Sequence, residues 1–202
     1  MVTDIALVLA AYLLGSISSA IVVCRALRLP DPRTEGSGNP GATNVLRIGG
    51  KTAAALTLAG DSLKGLLPVL AAQWLGAAPP VLALTAAAAF LGHLYPVFFG
   101  FRGGKGVATL LGVVFGLHWL LGLAAVGTWL LVAGLFRYSS LAALVMTACL
   151  PAYAWFITAS LPLTGALAGM GALLFWRHRG NIVKLWRGEE TRIGASKISK
   201  PD

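Results

Sequence analysis

Charge is scarce in this sequence and is missing from most of its length. Only 11% of the 202 residues are charged, whereas 57% are hydrophobic. Soluble domains average about 25% charged residues, so this composition excludes a soluble domain and indicates a chain that lies mostly within a bilayer. No lysine or arginine interrupts five long apolar runs, which are residues 4–24, 80–99, 106–136, 140–158 and 162–176.

Cysteine and histidine are also rare. The two cysteines, Cys24 and Cys149, each lie in or at the edge of an apolar run, and the three histidines are scattered. Two isolated cysteines exclude a disulfide framework, and no zinc-ligand spacing can be assembled from these residues. We therefore expect neither a metal nor a cofactor.

The basic residues that are present have an ordinary explanation in a membrane protein. The formal net charge is +9, but the cations flank the apolar runs, as the positive-inside rule describes. No basic helix or aromatic platform for RNA accompanies them, which excludes a nucleic-acid partner. The nearest cations to the first run, Arg25 and Arg28, follow it, so we expect this run to be a retained span and not a cleaved signal.

The number of spans depends on the stretch 106–136, which is long enough for one helix or for two short ones that meet near Gly116-Leu117-His118. The other candidate spans are 4–24, 53–75, 80–99, 140–158 and 162–176. If 106–136 is divided, every cation except the in-span Lys64 lies on one side of the membrane. We therefore predict an all-α integral membrane protein with seven transmembrane helices, the N-terminus outside and the C-terminus cytoplasmic. It forms a single domain, 1–202, that ends in a loosely packed cytoplasmic tail from about 187 to 202.

The cations gather with glycines in three clusters. The first, residues 36–51, contains glycines at 36, 38, 41, 49 and 50, with Ser37, Thr43, Asn44 and Arg47 between them. Glycines let backbone amides turn toward an anion, short polar side chains complete its hydrogen bonds, and an arginine supplies a bidentate fork. The alternative is a plain cytoplasmic loop, in which glycine, asparagine and proline mark turns.

The second cluster spans residues 92–109 and surrounds Lys105 with Gly103, Gly104 and Gly106 at the expected start of a helix. A lysine and free amides at a helix N-terminus favour an anion such as phosphate. The segment is not a Walker A loop, because Phe99 and Gly106 occupy positions where that motif requires glycine and serine or threonine. Alternatively, the cations only anchor the chain to lipid headgroups.

The third cluster, residues 177–190, follows the last span. His178 and Asn181 share a face if a helix continues through Gly180, whereas the alternative is an ordinary stop-transfer cluster. Asp61 and Lys64 are charged residues inside an apolar stretch, and their i,i+3 spacing predicts a structural ion pair. Direct contact of this pair with a substrate is the other possibility.

Taken together and in this order, the clusters resemble the bacterial acyl-phosphate-dependent glycerol-3-phosphate acyltransferases, a family of small Y-type membrane enzymes. The resemblance covers nearly the whole chain and includes the motif Gly-Asp-x-x-Lys-Gly at residues 60–65. It implies transfer of a fatty acyl group from acyl phosphate to the 1-hydroxyl of glycerol 3-phosphate, which yields lysophosphatidic acid and phosphate. It also implies a multi-pass protein of the bacterial inner membrane with Gly-rich active-site loops at the cytoplasmic face, and no obligatory protein partner is expected.

The resemblance assigns roles residue by residue. The catalytic residues that it implies are Ser37, Arg47, Lys105, His178 and Asn181. The substrate-binding residues that it implies are Gly38, Gly41, Thr43, Asn44, His93, Arg102, Gly103, Gly104 and Gly106. Structural support is assigned to Asp61, Lys64 and Glu189.

No side-chain base is evident from the sequence. No histidine is followed five residues later by aspartate, and Asp61 is the only acid inside a span other than Asp4 at its edge. This scarcity predicts that an oxygen of the acyl phosphate takes the proton of the attacking hydroxyl. The alternative from another class, a transporter of an organic phosphate anion, needs an outward path, but the outer connections carry no cation. No internal repeat is apparent either.

Overall fold

The computed structural model describes residues 1–194, and within that range the chain is helical without any strand. Residues 1–194 form nine α-helices and one 3₁₀ turn. The helices are α1 (Val2–Gly15), α2 (Ser19–Ala26), α3 (Ala42–Trp74), α4 (Pro79–Leu94), α5 (Val107–Leu117), α6 (Trp119–Phe136), α7 (Ser139–Thr158), α8 (Leu161–Arg177) and α9 (Arg179–Trp186), and the 3₁₀ turn is Val97–Phe99.

The apolar run 4–24, a candidate span, is broken into two helices. Helices α1 and α2 meet at an angle of 43°. At the break, Ser16 Oγ donates a hydrogen bond to the Tyr12 carbonyl at 2.8 Å, and Ser18 takes an extended conformation. The Ile17 carbonyl accepts a hydrogen bond from Lys64 Nζ at 2.8 Å. A buried lysine therefore satisfies a backbone group that the broken helix leaves without an intrahelical partner.

The division of 106–136 into two helices is confirmed, and His118 is the residue between them. Its backbone is extended, with φ −164° and ψ 131°, which ends α5 at Leu117. Its Nδ1 accepts a hydrogen bond from the Leu120 amide at 3.2 Å and so caps the first turn of α6. The side chain that interrupts one helix thus starts the next.

Part of the first Gly-rich cluster is helical, which the sequence did not indicate. Helix α3 begins at Ala42 and bends at Gly50, where φ is 76° and ψ is −172°. Only glycine adopts this conformation readily, so Gly50 separates a short first segment from the long apolar remainder of the helix. The short segment carries Asn44 and Arg47.

Four helices are long and apolar enough to cross a membrane within residues 1–194, and the bent α1–α2 pair makes a fifth candidate. The four are α3, α4 with its 3₁₀ turn, α6 and α7. Helices α5 and α8 are also apolar but shorter, with 11 and 17 residues. The fold is therefore that of an all-α integral membrane protein.

Glycines allow two pairs of helices to approach closely, α1 with α4 and α3 with α5. A Cβ atom at any of four glycines would overlap a backbone carbonyl of the facing helix. Small residues at helix contacts are the usual means of close packing in membranes. The four glycines and their facing residues are Gly15 with Ala89, Gly92 with Tyr12, Gly65 with Thr109, and Gly112 with Ser62.

Candidate active site

The loop between the 3₁₀ turn and α5 is held in place by Arg177, at the end of α8. Arg177 Nη2 donates to the Gly103 carbonyl at 2.6 Å, and its Nε donates to the Gly104 carbonyl at 3.2 Å. The guanidinium also lies over the Tyr95 ring, 6.0 Å from its centroid. The third cluster is therefore hydrogen-bonded to the second. Arg177 was not among the assigned site residues, although its position beside His178 was a signal for it.

Gly103 and Gly104 are glycines because other groups occupy the space of a side chain. A Cβ at Gly103 would overlap the His93 carbonyl, and one at Gly104 would overlap His93 Nε2 and crowd the Pro40 carbonyl. Pro40 belongs to the loop of the first cluster. Close packing at Gly104 thus brings the first cluster against the second.

Lys105 is tied to the third cluster by a chain of polar contacts. Its Nζ donates to Asn181 Oδ1 at 2.5 Å, and Asn181 Nδ2 donates to Glu190 Oε1 at 2.7 Å. Ser140 Oγ on α7 donates to the same Glu190 oxygen at 2.8 Å. Each partner fixes the next, so the ammonium group of Lys105 is positioned before any ligand arrives.

The surroundings of Lys105 lower its pKa below the ordinary lysine value. Burial is the main cause, and the positive charges of Lys184, Arg177 and Arg47 act in the same direction. The carboxylate of Glu190 opposes them. A cluster of cations that repel one another, with one nearby acid, is an arrangement that an anionic ligand stabilises.

His178 lies between α8 and α9 and is only 3% exposed. Its Nδ1 is 2.9 Å from the Leu174 carbonyl. Because a carbonyl only accepts, Nδ1 carries the proton in this contact and Nε2 is left as an acceptor. Burial lowers the pKa of His178 to about 4, and the charges of Lys105 and Arg177 contribute. The imidazole is therefore neutral at physiological pH.

Asn44, which was expected to contact substrate, makes its hydrogen bonds within its own loop. It is 1% exposed, and its Nδ2 donates to the carbonyls of Pro32 at 2.9 Å and Glu35 at 3.0 Å. Its Oδ1 accepts from the Ser37 amide at 2.8 Å. All of these contacts lie within the loop 32–44, so Asn44 shapes the loop.

The other residues of the first cluster lie at the surface of the same loop or helix start. Gly36 and Gly38 have φ angles of 64° and 69°, which lets the loop turn tightly in front of Asn44. The side chains of Ser37, Thr43 and Arg47 are exposed, whereas Gly41 is half-buried at the start of α3.

The ion pair expected from the i,i+3 spacing is present and deeply buried. Lys64 Nζ is 2.8 Å from Asp61 Oδ1, and the side chains are 5% and 2% exposed. His93 Nδ1 lies 3.6 Å from the same carboxylate oxygen. His93, which was assigned to substrate binding, is itself buried in α4, with Asp61 on one side and Gly104 on the other. Of these three residues, His93 packs against Gly103 and Gly104 in the loop that carries Lys105.

Two further assigned residues, Arg102 and Glu189, are exposed. Arg102 is exposed and lines a cleft with Arg25 and Arg33, and neither Lys105 nor His178 lines that cleft. Glu189, the expected structural acid, is exposed, and its neighbour Glu190 makes the contacts with Ser140 and Asn181.

The described part of the predicted tail folds back on the start of α7. The Ile193 amide donates to the Arg137 carbonyl at 2.7 Å, and Arg137 Nη2 donates to the Ile193 carbonyl at 3.1 Å. Glu190 is thus held by Ser140 and Asn181, and Ile193, three residues later, is held by Arg137. The rest of the predicted tail, residues 195–202, lies outside the described residues.

No group of three or more histidine, cysteine, aspartate or glutamate side chains within residues 1–194 is arranged to hold a metal ion. The groups near one another are instead the ammonium group of Lys105, the guanidinium groups of Arg47 and Arg177, and the neutral imidazole of His178. Such a set binds an oxyanion and accepts one hydrogen bond from a neutral ligand group.

Comparison with known proteins assigns this chain to a family. Residues 5–188 match the family model described as Glycerol-3-phosphate acyltransferase. The chain belongs to this family. A glycerol-3-phosphate acyltransferase of Halorhodospira halophila is 61% identical over 194 residues, which are 96% of this chain and 98% of the relative. The corresponding protein of Methylococcus capsulatus is 57% identical over 188 residues, 93% and 95% of the two chains.

Solved structures of a family member have the same fold. The crystal structure of PlsY (YgiH), an integral membrane glycerol 3-phosphate acyltransferase, in its glycerol 3-phosphate form has a TM-score of 0.90 at 42% identity. It covers 95% of this chain and 96% of that chain. The lysophosphatidic acid form of the same protein has a TM-score of 0.88. This family member therefore has crystal forms named for both ligands.

Proposed function

We propose that this protein transfers a fatty acyl group from acyl phosphate to the 1-hydroxyl of glycerol 3-phosphate. The hydroxyl oxygen forms a bond to the acyl carbon, and the bond between that carbon and the phosphate oxygen breaks. The products are lysophosphatidic acid and inorganic phosphate, as phospholipid synthesis requires. The observation that carries this proposal is the fixed Lys105–Asn181–Glu190 chain beside neutral His178.

Both substrates carry a phosphate, and the cations of the site match that chemistry. We assign Lys105 and Arg47 to the phosphate groups, because charge-assisted hydrogen bonds from cations to phosphate are the strongest that side chains offer. Ser37 and the glycines of the two loops complete the oxyanion contacts. Among residues 1–194, no hydrogen bond uses the amides of Gly104, Lys105 or Gly106 as donors, so these N–H groups are available to an anion at the start of α5.

His178 orients the attacking hydroxyl of glycerol 3-phosphate, and the acyl phosphate takes the proton of that hydroxyl. The acceptor atom Nε2 receives a hydrogen bond from the neighbouring 2-hydroxyl of glycerol 3-phosphate, which leaves the proton of the 1-hydroxyl free, and a histidine with a pKa of about 4 is a weak base at neutral pH. The proton passes to a phosphate oxygen of the acyl phosphate, which leaves as protonated phosphate when the carbon–oxygen bond breaks. Lys105 and the free amides stabilise the negative charge that develops on the reacting oxygens.

The membrane supplies the remaining part of the site. We propose seven spans, in which α1 with α2 forms the first and α5 and α6 are separate, with the N-terminus outside. The single domain 1–202 then places all three clusters at the cytoplasmic face of the bacterial inner membrane. The acyl chain lies between helices in the bilayer, so that its methylene groups stay out of water. The scheme uses no metal, cofactor or protein partner.

A donor assay on the purified protein in detergent tests this function. Phosphate release from acyl phosphate should require glycerol 3-phosphate and should yield one lysophosphatidic acid for each phosphate. Acyl-CoA and acyl carrier protein should be poor donors, because the site is a compact phosphate pocket. Equal or faster turnover with acyl-CoA would refute the assignment of the donor. A carrier of organic phosphate would show no reaction in detergent at all.

A further inference from the structure

A second cationic cleft lies apart from the residues that hold Lys105. It has a volume of about 470 Å³ and contains three arginines from three segments: Arg25 in the last turn of α2, Arg33 in the following loop, and Arg102 after the 3₁₀ turn. Phe98, Phe99 and Gly100 form the rest of its lining. The reaction proposed above leaves Arg25 and Arg33 without a role.

Within residues 1–194, only one of the three guanidinium groups forms an ion pair with an acid, and the same acid, Asp31, is also attracted by the charge of Arg25. Arg33 donates to both oxygens of Asp31, with Nε–Oδ1 at 3.0 Å and Nη2–Oδ2 at 2.7 Å. This pairing lowers the pKa of Asp31 below its ordinary value, so Asp31 stays charged and holds Arg33 in place. Within residues 1–194, neither Arg25 nor Arg102 has a salt bridge or a side-chain hydrogen bond. The cleft therefore retains uncompensated positive charge.

The wall of the cleft is built from backbone in an unusual conformation. Gly100 has a φ of 64°, and the next residue, Phe101, has a φ of 58°. A bulky residue rarely adopts this left-handed region, and such conformations gather at ligand sites and turns that the surrounding structure maintains. Phe98 and Phe101, which lie on either side of Gly100 in the chain, have exposed fractions of 59% and 57%.

We propose that this cleft binds the phosphate headgroup of an anionic phospholipid in the cytoplasmic leaflet. Arginine forks match phosphate oxygens, and basic pockets between transmembrane helices on the cytoplasmic side bind anionic headgroups. Exposed aromatic side chains beside the cations belong at the membrane interface, where the acyl part of a lipid follows its headgroup. The inference uses the proposed membrane orientation but not the proposed reaction.

The cleft also touches the catalytic loop through the chain itself. Arg102 directly precedes Gly103 and Gly104, whose carbonyls are held by Arg177. A lipid phosphate on Arg102 would fix the loop from its other end. Anionic lipid thus supports the position of Lys105 from a cleft outside the phosphate-transfer site.

Native mass spectrometry of the full chain, titrated with phosphatidylglycerol or phosphatidylcholine in neutral detergent, tests the proposal independently of activity. Arg25→Gln should weaken the binding of phosphatidylglycerol about fivefold, the change expected for about 1 kcal/mol from one cation. The matched control is Arg28→Gln, which removes an exposed arginine of the same segment that does not line the cleft. It should leave binding unchanged, and phosphatidylcholine should bind weakly to every variant.

A third titration separates a lipid headgroup from a free anion. Inorganic phosphate in large molar excess should not displace phosphatidylglycerol, because it lacks the acyl part that lies beside Phe98 and Phe101. Displacement that depends on Arg25 would show a site for free phosphate and would overturn the lipid assignment. Equal binding by Arg25→Gln and Arg28→Gln would remove the cleft from lipid binding altogether.

Discussion

Lys105 Nζ lies 2.5 Å from Asn181 Oδ1, a contact between residues 76 positions apart in the chain. It joins the loop before α5 to α9, and Asn181 is held in turn by Glu190. The asparagine amide has one orientation that serves both partners, because its oxygen accepts from Lys105 and its nitrogen donates to Glu190. The ammonium group is thereby fixed at the point where the three clusters meet.

Loss of either cation that we propose to bind phosphate should strongly lower activity. We expect Lys105→Ala and Arg47→Ala each to lower kcat/KM by at least about 100-fold, because removing one donor that stabilises an oxyanion in the transition state costs several kcal/mol. Lys105→Arg should fail as well, since the glycines on either side of Lys105, Gly104 and Gly106, indicate a site fitted to the smaller ammonium head and not to a guanidinium group. Steady-state kinetics of the purified variants give the values. Lys51→Ala is the control, as Lys51 is exposed on α3 beyond the bend at Gly50. Activity within about tenfold of wild type in a well-expressed alanine variant would contradict the assignment.

Of the two adjacent acids, Glu190 should matter and Glu189 should not. Glu190→Ala removes the acceptor of Asn181 and Ser140 and also the negative charge near Lys105, so kcat/KM should fall by about 10- to 100-fold. Glu190→Gln, which keeps an acceptor oxygen, should be less damaging. Glu189→Ala should match the wild type. The reverse order of the two alanine variants would return the supporting role to Glu189.

The rate should not report a histidine titration near pH 6.5. With a pKa of about 4, His178 is neutral throughout pH 6 to 9, so its protonation state does not change over this range. His178→Asn keeps a hydrogen-bonding side chain and should retain more activity than His178→Ala. If the pH–rate profile of the wild type instead falls with one protonation near pH 6.5, and both variants are equally inactive, His178 is the general base.

The buried ion pair should be needed for stability as a pair. Asp61→Asn leaves the buried ammonium of Lys64 without its counter-charge, and breaking one side of such a pair costs about 3–5 kcal/mol. The double variant Asp61→Asn with Lys64→Met removes both charges and should recover part of the loss. Thermal unfolding in detergent measures both, with Asp31→Asn as the control at a more exposed pair. Equal Tm values for Asp61→Asn and Asp31→Asn would show that the buried pair is dispensable.

Cysteine labelling tests the proposed topology. In a background without Cys24 and Cys149, Ser139→Cys at the start of α7 should react with an impermeant probe only from the cytoplasm. Ala159→Cys, in the exposed turn at the end of α7, should react only from outside. Labelling of position 139 from outside would favour six spans.

Local patterns in the sequence determined the class of the protein and several of its details. The absence of cations from the apolar runs required a membrane, because a buried unpaired charge is too costly there. The distribution of loop cations predicted the break near His118, and the i,i+3 spacing predicted the pair Asp61–Lys64. The pair follows from the sequence because it depends only on residues close together in the chain, and the break follows because the positive-inside rule uses only the order of cations and apolar runs along the chain.

Tertiary structure decided which polar groups meet and which of them form contacts within the protein. Asn44 and His93 carry the residue types of a binding site, but helix packing buries one inside its own loop and the other beside Asp61. Arg177 reaches the loop at Gly103 only because α8 ends beside it. These contacts depend on how closely the helices approach one another. Glycines permit the close approach where two helix backbones touch, and the residues that meet there are far apart in the sequence. A motif shows that polar residues cluster along the chain, whereas the direction of each side chain follows from the packing of the helices.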